Sequence, residues 1–287
     1  MADPRLKAAI EAKEFVLAPG VFDLISALIA DRHDYKALYV TGYGTVASYL
    51  GLPDAGLASY RDMLERIAQI VKMTTKPVIA DADTGYGGLL NVRHTVRGYE
   101  EAGVSAIQIE DQEFPKKCGH TPGRRVIPIE DMVRKIKVAS DSRSSSDFLI
   151  IARTDARTSL GLEEAIRRGE AYGAAGADIV FIESPESEEE MREVARRIDK
   201  PLFANIVNGG RTPILSAAAL KEIGFAVGIH PAIGFLSMGE ALNRAYGDLA
   251  ANGITSDDIP LYSFAEFNKL LGFEDVWDFE KKYAETA

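Results

Sequence analysis

Residues 149–182 read LIIARTDARTSLGLEEAIRRGEAYGAAGADIVFI, and this stretch contains one complete repeat of the pattern that decides the fold. Two short apolar runs rich in β-branched residues, Leu149–Ala152 and Ile179–Ile182, flank the segment Leu162–Ala175. The apolar residues of that segment recur at three- and four-residue spacing, which predicts a helix. The pair Ala175–Gly176 stands where this helix should end. The stretch therefore predicts a strand, a helix and a second strand of one parallel sheet.

The same alternation runs along the whole chain, and no low-complexity linker divides it. No GxGxxG follows the first strand-like run, where a doubly wound dinucleotide fold would place it. The chain contains eight strand-like runs, and this number favours a closed (β/α)8 TIM barrel over an open α/β sheet. We expect residues 1–287 to form a single domain. The predicted strands are Val16–Ala18, Ala37–Val40, Val78–Ala80, Ala106–Ile109, Leu149–Ala152, Ile179–Ile182, Leu202–Ala204 and Phe225–Ile229.

The chain continues for roughly fifty residues after the eighth run, which is more than one closing helix needs. We expect residues ~240–287 to form additional C-terminal helices. Their aromatic side chains would leave apolar surface that can pack on another subunit. These aromatic residues are Phe264, Phe267, Phe273, Trp277, Phe279 and Tyr283.

Composition excludes several classes of function. The 33 basic and 43 acidic residues give a formal net charge of −10, which opposes binding to a nucleic-acid backbone. No apolar run reaches the length of a membrane span, and the charged N-terminus does not read as a signal peptide. A single cysteine excludes an intrachain disulfide and predicts a cytoplasmic protein. An anionic substrate would need locally concentrated positive charge.

Polar residues follow most of the predicted strands. In a (β/α)8 barrel the C-terminal ends of the strands meet at one rim, where the chemistry takes place. Any one of these residues is explained equally well as the first solvated loop residue, but the whole set predicts a functional site. In strand order the set is Tyr39, Thr41, Gly42 and Tyr43; Asp81 and Asp83; Glu110 and Asp111; Arg153; Glu183; Asn205; and His230.

Four acids within this set have the character of metal ligands. Asp81 and Asp83 are two residues apart, so their carboxylates leave an extended backbone on the same face. Together with Glu110 and Asp111 they would form an oxygen-only cluster, which suits Mg²⁺ or Mn²⁺. The alternative is that the residues from Asp83 onward form an ordinary polar turn. Zinc is disfavoured because the four histidines lack ligand-like spacing.

Arg153 follows a buried strand and therefore needs an anionic partner. A neighbouring acid and a substrate carboxylate held bidentately explain it equally well.

The segment Gln112–Ile127, QEFPKKCGHTPGRRVI, has the length and composition of a functional lid, and we call it the gate. Its cysteine, Cys118, lies among Lys116, Lys117 and His120. These neighbours favour the thiolate and make the sulfur a candidate proton donor or acceptor near neutral pH. The alternative is a buried, inert cysteine.

Several of these motifs resemble one known family. KKCGH at 116–120, DADTGYG at 81–87, IEDQ at 109–112 and IARTDA at 151–156 are similar to motifs of the isocitrate lyase / phosphoenolpyruvate mutase superfamily. The short-chain branch of methylisocitrate and 2,3-dimethylmalate lyases is the most similar part of it. The resemblance extends over nearly the whole chain, from PGVFD at 19–23 onward.

The resemblance implies a (β/α)8 barrel that assembles as a homotetramer, a dimer of dimers that exchange their C-terminal helices. It also implies Mg²⁺ held by Asp81, Asp83, Glu110 and Asp111, with Asp83 the direct ligand. The positions assigned to catalysis are Cys118, Arg153, Tyr39 and His120, with Cys118 protonating a carbanion. The positions assigned to substrate binding are Thr41, Gly42, Tyr43, Asp54, Arg153, Glu183, Asn205 and His230.

The predicted function is a Mg²⁺-dependent carbon–carbon lyase. Its substrate would be a 2-hydroxy or 2-oxo di- or tricarboxylate, such as 2,3-dimethylmalate or 2-methylisocitrate, cleaved by a retro-aldol step to pyruvate and a carboxylic acid. The segment NIVNGGRTP at 205–213 departs from methylisocitrate lyases and counts against a tricarboxylate. Alternatives are an oxaloacetate decarboxylase or hydrolase, a carboxyphosphonoenolpyruvate mutase, or a barrel that binds an acid without turnover.

Overall fold

The computed structural model describes residues 2–119 and 123–284 and contains a closed barrel of eight parallel strands. Each strand pairs with the next along the chain, and β8 closes the barrel against β1. The closed (β/α)8 barrel predicted from the alternating pattern is confirmed. The strands are β1 (Val16–Val21), β2 (Leu38–Val40), β3 (Val78–Asp81), β4 (Ala106–Glu110), β5 (Leu149–Thr154), β6 (Ile179–Ile182), β7 (Leu202–Asn205) and β8 (Phe225–His230).

Helices separate the strands and continue after β8, as the periodic segments predicted. The helix predicted over Leu162–Ala175 is observed over Leu162–Ala174, with two glutamates in its first turn. The helices are α1 (Pro4–Glu11), α2 (Leu24–Asp31), α3 (Gly42–Leu50), α4 (Tyr60–Met73), α5 (Leu89–Glu101), α6 (Ile129–Ser142), α7 (Ala156–Leu160), α8 (Leu162–Ala174), α9 (Glu188–Arg197), α10 (Ala217–Ile223), α11 (Ile233–Asn252), α12 (Phe264–Leu270) and α13 (Phe273–Tyr283).

The two-residue period of the strands sorts their side chains into two layers. On β5, Leu149 and Ile151 belong to the core cluster inside the barrel, whereas Ile150 and Ala152 pack in the layer between strands and helices. The same alternation holds along the other strands, because successive side chains of a strand point to opposite faces. Each strand is therefore buried on both faces, as expected for a parallel sheet. Whether a residue near a strand end lies inside the barrel depends on this parity.

The observed strand ends differ by up to three residues from the predicted ones. β3, β4 and β5 extend to Asp81, Glu110 and Thr154, so the first polar residues still belong to the barrel strands. The backbone of these polar residues is therefore fixed by the hydrogen bonds of the barrel strands.

The chain divides into two compact units, one ending at Phe235 and the other beginning at Leu236. The second unit contains α12, α13 and most of α11. Many of its large apolar side chains are exposed, including Phe264, Trp277, Phe279 and Tyr283. In the part of the chain that the structure describes, no helix is long and apolar enough to cross a membrane. The assignment of residues 1–287 to one domain stays a prediction.

Candidate active site

Strand parity brings most of the predicted residues together at the carboxyl end of the barrel. Four of these residues lie two residues, or a multiple of two, beyond an interior core residue of the same strand, so their side chains point to the interior. They are Asp81, Glu110, Arg153 and Glu183. All four are almost fully buried. Ion pairs and hydrogen bonds link them to one another and to Tyr39 and Asn205, as the following paragraphs describe.

Gln108 forms the floor of this site together with Tyr39 and Asp81. The Tyr39 hydroxyl donates to Gln108 Oε1 over 3.1 Å, and Gln108 Nε2 donates to Asp81 Oδ1 over 3.4 Å. Burial and the nearby Asp81 carboxylate raise the pKa of Tyr39 well above its ordinary value. Tyr39 is therefore a neutral phenol, whose proton is held by Gln108 beneath the carboxylates.

The turn after β3 presents Asp83 to the same site. Asp83 has φ +47°, a left-handed conformation that costs energy for a residue other than glycine. Its backbone N–H donates to Asp81 Oδ1 over 3.0 Å, so the first aspartate stabilises the turn that positions the second. The turn is also held from outside, since Lys135 Nζ on α6 donates to the Thr84 carbonyl over 2.8 Å.

Lys116 of the gate reaches into this acidic region. Its Nζ lies 2.5 Å from Asp54 Oδ1 and 2.6 Å from Asp83 Oδ1, and only 3% of its side chain is exposed. Burial alone would lower the pKa of Lys116, but the carboxylates, led by Asp83, raise it well above its ordinary value. Burial raises the pKa of Asp83 to about 6 in spite of this ammonium group. Lys116 therefore offsets the negative charge of Asp54 and Asp83 at the barrel mouth.

Asp111 does not point into the barrel, which corrects the predicted four-acid cluster. It follows Glu110 directly, so its side chain leaves the opposite face of the strand. Its Oδ2 accepts from Arg168 Nη1 at 2.9 Å and from the Tyr172 hydroxyl at 2.8 Å, both on α8. It also accepts from the Thr154 hydroxyl at 2.6 Å and from a backbone N–H at 2.9 Å. These bonds saturate the carboxylate, so we remove Asp111 from the candidate metal ligands.

Glu110 remains the acid of β4 that faces the interior. One carboxylate oxygen, Oε2, lies 3.5 Å from Arg153 Nε, and the other, Oε1, is buried without a hydrogen-bond partner among the described residues. Burial raises the pKa of Glu110 well above its ordinary range, although Arg153 opposes the shift. Among residues 2–119 and 123–284, no three acidic, histidine or cysteine side chains converge closely enough to hold a metal ion directly.

Arg153 pairs with neighbouring acids, which is the first of the two kinds of anionic partner predicted for it. Its Nε and Nη2 each donate over 2.9 Å to one oxygen of Asp155. Nη2 also lies 3.3 Å from Glu183 Oε2, which in turn accepts from Asn205 Nδ2 over 3.0 Å. Burial alone would lower the pKa of Arg153, but the carboxylates, led by Asp155, raise it well above its ordinary value. The guanidinium therefore stays charged, and its Nη1 takes part in none of these contacts.

The described part of the gate lies across the site. The Gln112 side chain is hydrogen bonded to the backbone N–H and carbonyl of Lys117, over 3.0 and 2.8 Å, which fixes the first turn of the gate. The Cys118 N–H donates to the Asp54 carbonyl over 3.2 Å. A Cβ atom on Gly119 would lie 2.3 Å from Arg153 Nη2, so the gate backbone contacts the arginine directly. The predicted catalytic residue His120 lies outside the described residues.

The remaining predicted residues lie at the ends of β2 and β8. Thr41 is buried and precedes the N-terminus of α3, whose first-turn N–H groups have no partner within the helix. A Cβ on Gly42 would lie 2.6 Å from Asp81 Oδ2, so only glycine permits this close approach. The Tyr43 ring stacks on Phe235 at 5.1 Å. His230 is half-buried, and burial lowers its pKa.

Four residues of the site were given no role of their own from the sequence, and Lys116 was noted only as a neighbour of Cys118. The four are Gln108, Lys116, Arg124 and Asp155. Two of them carried a usable signal. Gln108 and Asp155 have the same strand parity as Glu110 and Arg153, so the rule that excludes Asp111 would have included them. Lys116 and Arg124 lie in the irregular gate, where no periodicity indicates the direction of a side chain.

Comparison with known proteins agrees with this arrangement. The sequence pattern of the phosphoenolpyruvate phosphomutase family matches residues 6–249. The chain is 46% identical to 2,3-dimethylmalate lyase of Eubacterium barkeri over 281 residues, which is 98% of this chain and 97% of the relative. The chain belongs to this family. It is a lyase of the phosphoenolpyruvate mutase/isocitrate lyase superfamily, as the resemblance of its motifs predicted.

Further relatives show how widely the lyase fold and sequence are shared. The lyase is 42% identical to 2-methylisocitrate lyase of Aeropyrum pernix over 98% of this chain and 90% of the relative. Oxaloacetate acetylhydrolase in complex with 3,3-difluorooxalacetate superposes with a TM-score of 0.92 at 33% identity, covering 99% of this chain and 97% of the other. Phosphonopyruvate hydrolase in complex with oxalate and Mg²⁺ superposes with a TM-score of 0.88 at 29% identity, covering 99% and 100%.

Proposed function

We propose that this lyase cleaves the C2–C3 bond of a 2-hydroxy dicarboxylate of the 2,3-dimethylmalate type, with Mg²⁺ or Mn²⁺ as its cofactor. The products would be pyruvate or a similar 2-oxoacid and a carboxylic acid. The 46% identity to 2,3-dimethylmalate lyase over nearly the whole of both chains supports this substrate class.

One observation carries the proposal: Cys118 is held over the site from both sides. Lys116, two residues before it, is ion-paired to Asp83, and Gly119, directly after it, contacts Arg153. The thiol therefore lies on a short segment that spans the distance between the acids and the arginine. This placement supports our proposal that Cys118 donates a proton to a carbanion formed between those two groups.

The chemistry of the acids fits a hard divalent cation. Asp81, Asp83 and Glu110 offer only oxygen donors, and the Oε1 atom of Glu110 is buried without a hydrogen bond from the described residues. These three residues would hold the cation, largely through water, since no three ligands converge directly in the described chain. When bound, the ion would lower the pKa of the substrate hydroxyl and offset negative charge in the transition state.

The chain's own residues would then carry out three tasks. The Nη1 group of Arg153 and the first-turn N–H groups of α3, at Gly42 and Tyr43, would bind the substrate carboxylates. After a base removes the hydroxyl proton, the C2–C3 electron pair passes to C3, and the Cys118 thiol gives its proton to that carbon. The gate, fastened by Lys116, would exclude water, which would otherwise protonate the carbanion.

A hydrolase or decarboxylase acting on oxaloacetate is the second candidate. The superposition on oxaloacetate acetylhydrolase with a TM-score of 0.92 supports it. Such a reaction also needs an enolate or oxyanion to be stabilised at the same rim, so the acids and Arg153 do not separate the two functions. Both reactions end with protonation of a carbon atom, so Cys118 could serve either, and the acids that are turned over separate the two functions.

The test is an assay of the purified protein on a panel of acids. 2,3-Dimethylmalate, 2-methylisocitrate, isocitrate, citramalate and oxaloacetate would be incubated with Mg²⁺, and oxoacid formation or loss would be followed. We expect metal-dependent release of pyruvate from a substituted malate, and its loss in EDTA. Turnover of oxaloacetate alone would contradict the proposal and favour the second candidate.

The close approach of Gly119 to Arg153 makes a further prediction. In Gly119→Ala the new methyl group would displace either the gate or the guanidinium, because the added Cβ would lie 2.3 Å from Nη2. We expect kcat/KM to fall by about 10²-fold, the effect of misplacing catalytic groups by about 1 Å. Gly88→Ala is the matched control, because its Cβ would enter open space and its φ of −80° suits any residue. Equal activity of the two variants would show that the gate does not rest on Arg153.

We also propose that the protein assembles as a homotetramer of paired dimers that exchange C-terminal helices. The exposed apolar side chains of the second unit support this assembly, with Phe264 81% and Phe279 64% exposed. Burying such side chains contributes roughly 1.5–3 kcal/mol each. Light scattering of the full chain should give a tetramer, and Phe264→Glu with Phe279→Glu should shift it to smaller species. A monomeric full chain would refute the proposal.

A further inference from the structure

The carboxylate of Asp155 is shared between two buried arginines from different parts of the chain. Arg153 of β5 donates to both oxygens over 2.9 Å. Arg124, on the far side of the gate, donates from Nη1 to Oδ1 over 2.5 Å and from Nη2 to the Thr158 hydroxyl over 2.7 Å. The two guanidinium groups outweigh the effect of burial and keep the pKa of Asp155 below its ordinary value.

Asp155 is itself held rigidly. Its backbone N–H donates to Asp111 Oδ1 over 2.9 Å, and the Thr154 hydroxyl beside it donates to Asp111 Oδ2 over 2.6 Å. Asp111 is anchored in turn by Arg168 and Tyr172 of α8. The Asp155 carboxylate is therefore a fixed hydrogen-bond acceptor in the barrel wall, to which a side chain of the gate can donate.

Arg124 differs in this respect from the arginine next to it. Within residues 123–127 it is the only fully buried residue, with 2% of its side chain exposed. Arg125 instead forms a surface ion pair with Glu113, in which the two side chains are 79% and 42% exposed. A surface pair of this kind contributes little, whereas a desolvated charged hydrogen bond is worth substantially more. The two adjacent arginines are thus a matched pair, one directed inward and one outward.

We propose that Arg124 is a positioning residue that fastens the gate to the barrel wall and sets the orientation of Arg153 through their shared partner, Asp155. Through Asp155, Arg124 links the part of the gate after Cys118 to Arg153. Lys116 links the part before Cys118 to Asp83 in the same way. Without Arg124, Asp155 has Arg153 as its remaining guanidinium partner, and that arginine is bound more firmly to the wall and less available to a carboxylate. The role of Arg153 in this argument rests on the proposed function.

The experiment uses Cys118 as a reporter, because it is the only cysteine in the chain. The rate of its reaction with a thiol reagent such as 5,5′-dithiobis(2-nitrobenzoate) would be measured in the full-length protein, in Arg124→Met, Arg124→Lys and Arg125→Met. We expect Arg124→Met to react on the order of tenfold faster, because a charged hydrogen bond that closes the gate is lost. Arg124→Lys should recover part of the protection, and Arg125→Met should stay within about twofold of the parent.

Steady-state kinetics with the acid that the enzyme turns over would be measured on the same variants. Arg124→Met should raise KM and lower kcat, and Arg124→Lys should restore part of both. Unchanged labelling in an Arg124→Met variant that melts like the parent would overturn the proposal, as would equal acceleration in Arg125→Met. If Arg124→Met does not fold, Thr158→Val, which removes the second contact of Arg124, decides by the same labelling criterion. Absence of turnover on every acid would refute the proposed function alone, since the labelling test needs no substrate.

Discussion

Cys118→Ser is expected to lower kcat for cleavage of a substituted malate by about 10²- to 10⁴-fold, the usual contribution of a positioned proton donor. A serine hydroxyl fits the same space, but its pKa is far above that of a thiol, so it does not protonate a carbanion in the lifetime of the intermediate. The segment around Cys118 is held by Lys116 and Gly119 on the two sides of the site, and both residues are kept when serine replaces the cysteine. The substitution should therefore leave the fold and the closed gate unchanged.

The measurement is pyruvate release under saturating Mg²⁺, with thermal melting to verify the fold. Cys118→Ala provides a second variant that lacks any proton on the side chain, and it should be at least as inactive. A serine variant that retains parental kcat on a substituted malate would remove Cys118 from the mechanism. A serine variant that retains turnover of oxaloacetate, with no turnover of malates by the parent, would establish the alternative hydrolase or decarboxylase.

Asp111→Asn is expected to lower the stability of the fold, and Asp83→Asn is expected to weaken metal binding, although both aspartates follow barrel strands. Asp111 is the buried partner of Arg168, and the asparagine would leave the guanidinium without its fully buried carboxylate. Breaking a buried ion pair from one side costs about 3–5 kcal/mol, so the free energy of unfolding should fall by roughly 3 kcal/mol. The Glu164 carboxylate still pairs with Arg168 at 2.8 Å and places the loss at the lower end of that range.

Metal affinity should be lowered by Asp83→Asn and left unchanged by Asp111→Asn. Asp83 points into the site, so Asp83→Asn should weaken Mn²⁺ binding, measured by calorimetry on the folded protein, by at least about tenfold. Asp111→Asn should bind Mn²⁺ like the parent at temperatures where it is folded. An Asp111→Asn variant of normal stability that no longer binds Mn²⁺ would restore this residue to the ligand set.

Much of the fold follows from local patterns in the sequence. The run Leu149–Ala152, the helical segment after it and the run Ile179–Ile182 each form the element that their periodicity predicted. Local patterns suffice here because strands of a barrel are buried on both faces and read as continuous apolar runs, while the helices between them have one charged face. The ends of the strands were less well predicted, because polar residues such as Asp81 and Glu110 continue the strands beyond the apolar runs.

The sequence predicted where the candidate site lies, but not which of its side chains form ion pairs and hydrogen bonds with one another. Residues at strand ends converge on one rim, so Asp81, Glu110 and Arg153 follow directly from the fold class. Applying the two-residue period to each strand end would also have excluded Asp111, whose carboxylate faces α8. The sequence alone allows that inference, because it requires only knowing which residues of the strand face the barrel interior.

The sequence by itself determined the barrel, the parity of its strands and the residue types that surround its mouth. Only the tertiary structure decided which charges pair, and the reason is physical. Arg124 and Asp155 are 31 residues apart, and Lys116 and Asp83 come from separate loops. Their pairing depends on how the irregular gate folds back over the barrel, and no periodic pattern encodes the path of such a segment. Once the barrel closes, these charges are buried, and a buried charge is stable only beside groups of opposite charge.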